Sequence, residues 1–230
     1  MHQPRIVLVH GAFTDPSSWA GVIEDLHADG LGAEAVANPL RGLAIDAAHV
    51  TGAIRRITDP VVLVGHCYGG AVITNVATDN VVALVYVAGF GLDWNESVVH
   101  VYRRFAPTLI ADAIVGRSDA ELAVRCDRFR DVLAGDLPAR RTAVLAAAQR
   151  PIARSALTAG SAAPAWAKLP SWYVIATSDR ALNAHAQRFM AQRMAAHELH
   201  LNGSHLIHIS QPRAVAGMIR AAAGRQEKTS

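Results

Sequence analysis

The segment Val61-Val62-Leu63-Val64-Gly65-His66-Cys67-Tyr68-Gly69-Gly70-Ala71-Val72 joins a four-residue apolar run, a thiol bracketed by glycines and the start of an apolar helical pattern. At a strand-to-helix turn, the Gly65-x-Cys67-x-Gly69 spacing lets the backbone pass closely at the glycines while the central residue stands out beyond the strand end. The chemistry on offer there is nucleophilic. The N-terminus of the following helix stabilises negative charge, and a paired histidine stabilises a thiolate further. The same peptide dipoles favour an oxyanion. A buried cysteine is commonly just a small inert hydrophobe. Context favours the nucleophile: a clean strand before the turn, an oxyanion segment upstream, and acid and histidine candidates downstream in triad order.

Such a turn needs strands that end side by side. Apolar runs at Arg5–Val9, Glu34–Ala37, Val61–Val64 and Val82–Val87 alternate with helical patterns at Trp19–Ala28, Ala44–Ile57 and Gly70–Ala77. This alternation predicts βαβ units. The runs Ile6–Val9 and Val61–Val64 lack polar alternation, as strands covered by helices on both faces do. An α/β fold with a mainly parallel, doubly wound sheet follows. The pattern resumes with a strand at Ser171–Ala176, a helix at Ala184–Met194, a strand near Glu198–Leu201 and a helix from Gln211 to Ala223. The core is therefore expected over 1–90 and 170–224, with 225–230 a flexible tail. Between Phe90 and Pro170 no strand is predicted, only Ala-, Arg- and Leu-rich helical stretches broken by Pro107, Gly116, Gly135-Asp136, Pro138 and Thr158–Pro164. Residues 91–169 read as a helical insertion, either a lid over the strand ends or extra helices packed on the sheet.

Composition narrows the function classes. With 230 residues, 51% hydrophobic and 18% charged, the chain makes one globular domain and is not a disordered segment. Cys67 and Cys126 form no C-x-x-C pair, which argues against a disulfide scaffold, redox pair or zinc knuckle and suits a reducing, cytoplasmic setting. The net charge of +3 comes from 20 Arg and 2 Lys scattered singly or in pairs such as Arg55-Arg56, so no nucleic-acid partner is expected. Met1-His2-Gln3-Pro4 leads directly into a strand of about five residues, short of the ~7–15 apolar residues of a signal peptide or the ~20 of a membrane span. Neither export nor a membrane partner is expected. No phosphate-loop pattern is present. The pairs His197/His200 and His205/His208 lack a carboxylate cluster or an H-E-x-x-H helix, so neither metal nor cofactor is expected.

The segments His10-Gly11-Ala12-Phe13, Gly65-His66-Cys67-Tyr68-Gly69-Gly70 and Gly203-Ser204-His205 resemble the α/β-hydrolase superfamily, specifically its small esterase-like members. The resemblance spans essentially the whole chain, including Trp19, Asn38-Pro39-Leu40 and Gln149-Arg150-Pro151-Ile152. It implies an α/β-hydrolase fold and an oxyanion hole made by the backbone N–H groups of Ala12 and Tyr68, with His10 structural. Most such members carry Ser where Cys67 stands; a minority, including dienelactone hydrolase-like enzymes, carry Cys. The histidine is expected at His205, in the loop after the last strand, with His208 its competitor. The acid is expected after the strand Ser171–Ala176 at Asp179, with Asp93 the alternate.

Together these residues predict acyl transfer, in which Cys67, His205 and Asp179 cleave a small apolar ester, lactone or thioester through an acyl-thioester. Candidate pocket residues are Phe13, His66, Trp94, Tyr102 and Phe105. Three other readings share the sequence: an acyltransferase or cyclase, a hydroxynitrile-lyase-like enzyme using Lys168, and a ligand-binding protein without turnover. No residue pattern sets an oligomeric state.

Overall fold

The computed structural model describes residues 3–76 and 78–224. Its strands are, in chain order, β1 (Arg5–Val9), β2 (Ala33–Val36), β3 (Val61–His66), β4 (Val81–Val87), β5 (Ile114–Gly116), β6 (Glu121–Val124), β7 (Ile152–Ala153), β8 (Ser171–Ala176) and β9 (His197–Leu201). Its α-helices are α1 (Ala20–Ala28), α2 (Leu43–Ile54), α3 (Tyr68–Thr74), α4 (Val98–Arg104), α5 (Phe129–Leu133), α6 (Ala139–Ala148), α7 (Arg154–Thr158), α8 (Ala184–Arg193), α9 (Ile207–Ser210) and α10 (Pro212–Ala222). The tail expected at 225–230 lies outside the described residues.

Six strands form one parallel sheet in the order β2-β1-β3-β4-β8-β9. The two-residue strand period divides each apolar run between two cores. Val7, Val9, Val61 and Leu63 face α2, α3 and α8. Ile6, Leu8, Val62 and Val64 face α1 and α10. Burial on both faces explains the missing polar alternation, and each such side chain adds about 1.5–3 kcal/mol relative to exposure. In α10, Pro212 occupies the first turn, where its missing N–H costs nothing, and Val215 and Ile219, one turn apart, enter the rear core. The expected parallel, doubly wound α/β sheet is the observed one.

The sheet order reverses at the β1/β3 pair: the chain runs from β1 outward to β2, then returns to the other side of β1 as β3. In open parallel sheets, ligands bind beyond the strand ends at such a switch point. The turn after β1 and the turn at Cys67 therefore lie next to each other.

Between β4 and β8 the all-helical expectation is corrected. Alongside α4–α7, strands β5, β6 and β7 form an antiparallel three-stranded sheet, with Ile114 opposite Val124 and Leu122 opposite Ile152. Strands of three, four and two residues are too short to show a period in sequence, and β7 pairs with residues about thirty positions earlier. Ala153 N–H donates to Leu40 O at 2.9 Å, and Arg41 pairs with Glu121, so this insertion is bonded to the core. Among the described residues no helix is long and apolar enough to cross a membrane.

Candidate active site

Cys67 is the single residue between β3 and α3, whereas the sequence suggested a helix beginning at Gly70. Its φ of 51° and ψ of −123° are unfavourable for a side-chain-bearing residue, at a cost of about 1–3 kcal/mol. The surrounding backbone enforces them. A Cβ on Gly65 would lie 2.5 Å from Gly69 O, and one on Gly69 would collide with Val9 O. Cys67 O accepts from Gly70 N and Phe90 N, both at 3.0 Å, and its side chain lines a cavity.

His205 and Asp179 meet there. His205 Nδ1 is 2.7 Å from Asp179 Oδ2, both side chains being buried, and Cys67 lies close enough to the imidazole to act on its charge. With Nδ1–H on the carboxylate, Nε2 is left for the thiol. Asp179 is fixed by Ala181 N (2.7 Å), Leu182 N (2.9 Å) and Gln187 Nε2 (2.8 Å). Burial opposes the charged form of His205, but Asp179 and Cys67 outweigh it and hold its pKa well above the usual histidine range. Asp93, the alternate acid, is exposed and accepts from Trp94 N at 2.7 Å. His208, the competing histidine, touches neither Cys67 nor a carboxylate; burial pushes it down to about 3.

Ala12 and Tyr68 flank the thiol. Phe13 N–H is taken by Arg150 O at 3.2 Å, while the N–H groups of Ala12 and Tyr68 find no acceptor among the described residues and both residues line the cavity. Tyr68 opens α3, where a backbone N–H has no intrahelical partner. Its side chain turns away, and the hydroxyl donates to buried Asp46 at 2.7 Å. His10 braces the turn: Nδ1 is 2.9 Å from Gly11 O, and Nε2 accepts from Asn38 N at 3.0 Å. Burial lowers its pKa to about 4, which keeps it neutral.

The cavity measures about 330 Å³. Phe13 and Phe90 come from the core; Val98, Tyr102, Ile110 and Leu122 come from the insertion, which roofs the site. Of the five expected pocket residues, Phe13 and Tyr102 line it and three do not. His66 ends β3 and points to the opposite face of the sheet, its ring 4.2 Å from that of His208. Trp94 is 72% exposed in the turn before α4. Phe105 lies three residues after Tyr102, but α4 stops at Arg104 and the extended backbone at Phe105 carries its ring against Phe189. Lys168 is exposed and away from the cavity, so a lyase reading through it has no residue to act. Gln187, which holds Asp179, and Arg150, which holds the turn from His10 to Phe13, were not singled out for those roles. No motif marks such roles, because they arise from contacts 8 and 140 residues away. Among the described residues no group of three His, Cys, Asp or Glu could hold a metal ion.

A parallel sheet with Cys67 in the turn at its switch point, Asp179 after β8 and His205 after β9 is the frame in which the comparisons fall. The chain belongs to the alpha/beta hydrolase family, which it matches over residues 6–218. It is 27% identical to the alpha/beta hydrolase nvfD of Aspergillus novofumigatus (strain IBT 16806), over 97% of this chain and 98% of that protein. Its fold is shared with a pyrethroid hydrolase from Sphingobium faniae JZ-2 (TM-score 0.82, 22% identity, 96% and 97% of the two chains). Polyneuridine aldehyde esterase (TM-score 0.81, 15% identity, 96% and 99%) and tomato methylketone synthase I solved with 2-tridecanone (TM-score 0.78, 16% identity, 97% and 99%) share it too.

Proposed function

We propose that the protein hydrolyses a small apolar ester, lactone or thioester by acyl transfer through Cys67. His205, oriented by Asp179, holds the proton taken from the thiol, so that Cys67 attacks the carbonyl carbon as a thiolate, and the carbonyl oxygen gains negative charge between the N–H groups of Ala12 and Tyr68. The tetrahedral adduct collapses to an acyl-thioester, and His205 gives its proton to the departing oxygen or sulfur. Water, deprotonated by His205, then attacks the thioester and releases the acid. The observation that carries this reading is the Cys67–His205–Asp179 chain opening beside two backbone N–H groups without acceptors. The cavity volume, at the small end of the ~300–1,000 Å³ usual for ligand sites, and its apolar walls support a compact, uncharged substrate. Hydrolase and esterase names among the structural relatives agree with it.

Intact-mass spectrometry after mixing with short p-nitrophenyl esters and acyl thioesters, with leaving-group release followed in parallel, tests it. The expected result is an acyl adduct and turnover in the parent, neither in Cys67→Ala, and acylation slowed strongly in His205→Ala. An adduct that persists without turnover, while Cys67→Ser turns over, would replace hydrolysis by transfer to another nucleophile. Absence of adduct and release with every donor would overturn the enzymatic reading.

A further inference from the structure

The residues on either side of His205 are bonded to the insertion rather than to the sheet. The Asp136 carboxylate accepts from Ser204 N at 3.1 Å and from the Ser204 hydroxyl. Leu206 N donates to Leu133 O at 2.9 Å. Both acceptors sit on one closed turn, in which Ala134 N bonds Arg130 O and Leu137 N bonds Ala134 O. The core holds the earlier half of the loop, through Ser178 N on Gly203 O at 3.1 Å and Gln211 Nε2 on Asn202 O at 2.9 Å. At His205 itself the core supplies one main-chain tether, from His66 Nε2 to the carbonyl at 3.0 Å. Room for the carboxylate depends on Gly203, where a Cβ would strike Ile207 and lie 2.9 Å from Asp136 Oδ2. Burial opposes the carboxylate charge, yet the bonds from Ser204, with lesser help from Ser210 and its own backbone, prevail and keep its pKa below the usual range. Arg130, Asp131 and Arg180 line the surface cavity around it, and none of them forms an ion pair with Asp136.

We propose that Asp136 is a positioning residue which, through Ser204, sets the His205 imidazole against Cys67 without touching substrate. His205 is then served by two carboxylates from different parts of the chain, Asp179 on the ring and Asp136 on the backbone. A displacement of about 1 Å in such a pair costs on the order of a hundredfold in rate, so a clamp on the loop has leverage. The inference rests on Cys67 and His205 being the reacting pair.

The test needs no substrate. Iodoacetamide alkylation is followed at Cys67 by peptide mass spectrometry across pH, with exposed Cys126 as the reference thiol in the same molecule. His205→Ala defines how Cys67 behaves without its partner. Asp136→Ala is expected to move the Cys67 profile most of the way to that of His205→Ala, with about a tenfold change in rate at pH 7, equivalent to about one pH unit. Cys126 should be unaffected. Ser204→Ala should shift the profile in the same direction by less, because the N–H arm remains. Asp136→Asn, whose amide oxygen still accepts that N–H, should lie nearer the parent. A parent-like profile in both Asp136→Ala and Ser204→Ala, with a shifted one in His205→Ala, overturns the clamp. A parent-like profile in His205→Ala overturns the reacting pair instead. Ser204→Ala decides alone if Asp136→Ala does not fold.

Discussion

His205 and His208 stand three residues apart, both fully buried, and are driven to opposite protonation states. His205 has Asp179 at 2.7 Å and Cys67 near its ring. His208 lies against the rings of Trp19 and His66, and neither of its nitrogens has a hydrogen-bond partner among the described residues. Burial alone makes a histidine neutral and inert. Asp179, together with Cys67, makes a histidine in the same protein interior hold a proton. One side of the turn at Cys67 thus carries a charged, paired imidazole, and the other carries the neutral rings of His66 and His208.

The comparison breaks most sharply at Asp179. Asp179→Asn leaves a side chain of similar shape but removes the charge and the tautomer control, making His205 resemble His208. Turnover of a p-nitrophenyl ester should fall by about three to four orders of magnitude. The side with the neutral rings is tested by acid. His66, His10 and His208 are held below the usual histidine value by burial, the last two at about 4 and about 3. Between about pH 6.5 and pH 4 the unfolded chain takes up protons that the folded chain refuses. Stability is therefore full above that window and lost as pH falls through it, by about 1.4 kcal/mol per pH unit for each such group. His205 acts in the opposite sense, stabilising below its unfolded value and losing that contribution as pH rises through its raised one. Urea titrations at pH 7 and pH 5 should show the acid loss, and His208→Leu should flatten it without destabilising the protein at pH 7, since two unpartnered nitrogens disappear.

Smaller effects sharpen the side with the charged imidazole. Tyr102 lines the cavity and its hydroxyl has no hydrogen-bond partner among the described residues, while that of Thr108 is spent on Ala181 O at 2.8 Å. Burial, with Cys67 and Asp179 nearby, raises the Tyr102 pKa and keeps the phenol a donor. Tyr102→Phe should therefore leave the melting temperature unchanged and raise KM several-fold only for substrates with an oxygen beyond the scissile carbonyl, as a hydrogen bond of about 0.5–1.5 kcal/mol implies. Trp94→Ala should change kcat/KM by less than about twofold, the usual reach of a surface substitution.

The sheet was legible because its strands are buried on both faces and so spell apolar runs; the turn was legible because its close backbone approach demands glycines at fixed spacing. Cys67, Asp179 and His205 come together as their positions after β3, β8 and β9 suggested. The sequence did not give direction. His66 adjoins Cys67 yet faces the other way, and Phe105 leaves the cavity because its helix ends one residue earlier. Nor did it give pairing across distance: β7 has two residues and exists only because β6 is beside it. Gly135-Asp136 read only as a break between helical stretches, and the bond of Asp136 to Ser204 spans 68 residues.

The insertion both roofs the cavity and grips the histidine loop. Specificity and reactivity are therefore mechanically one part. Grafting a relative's insertion onto this sheet would exchange the cavity wall, but the hybrid would keep a working base only if the donor supplied its own equivalents of the Leu133 carbonyl and the Asp136 carboxylate. Modular redesign of this protein has its seam at the turn from Leu133 to Leu137, not at the ends of the sheet.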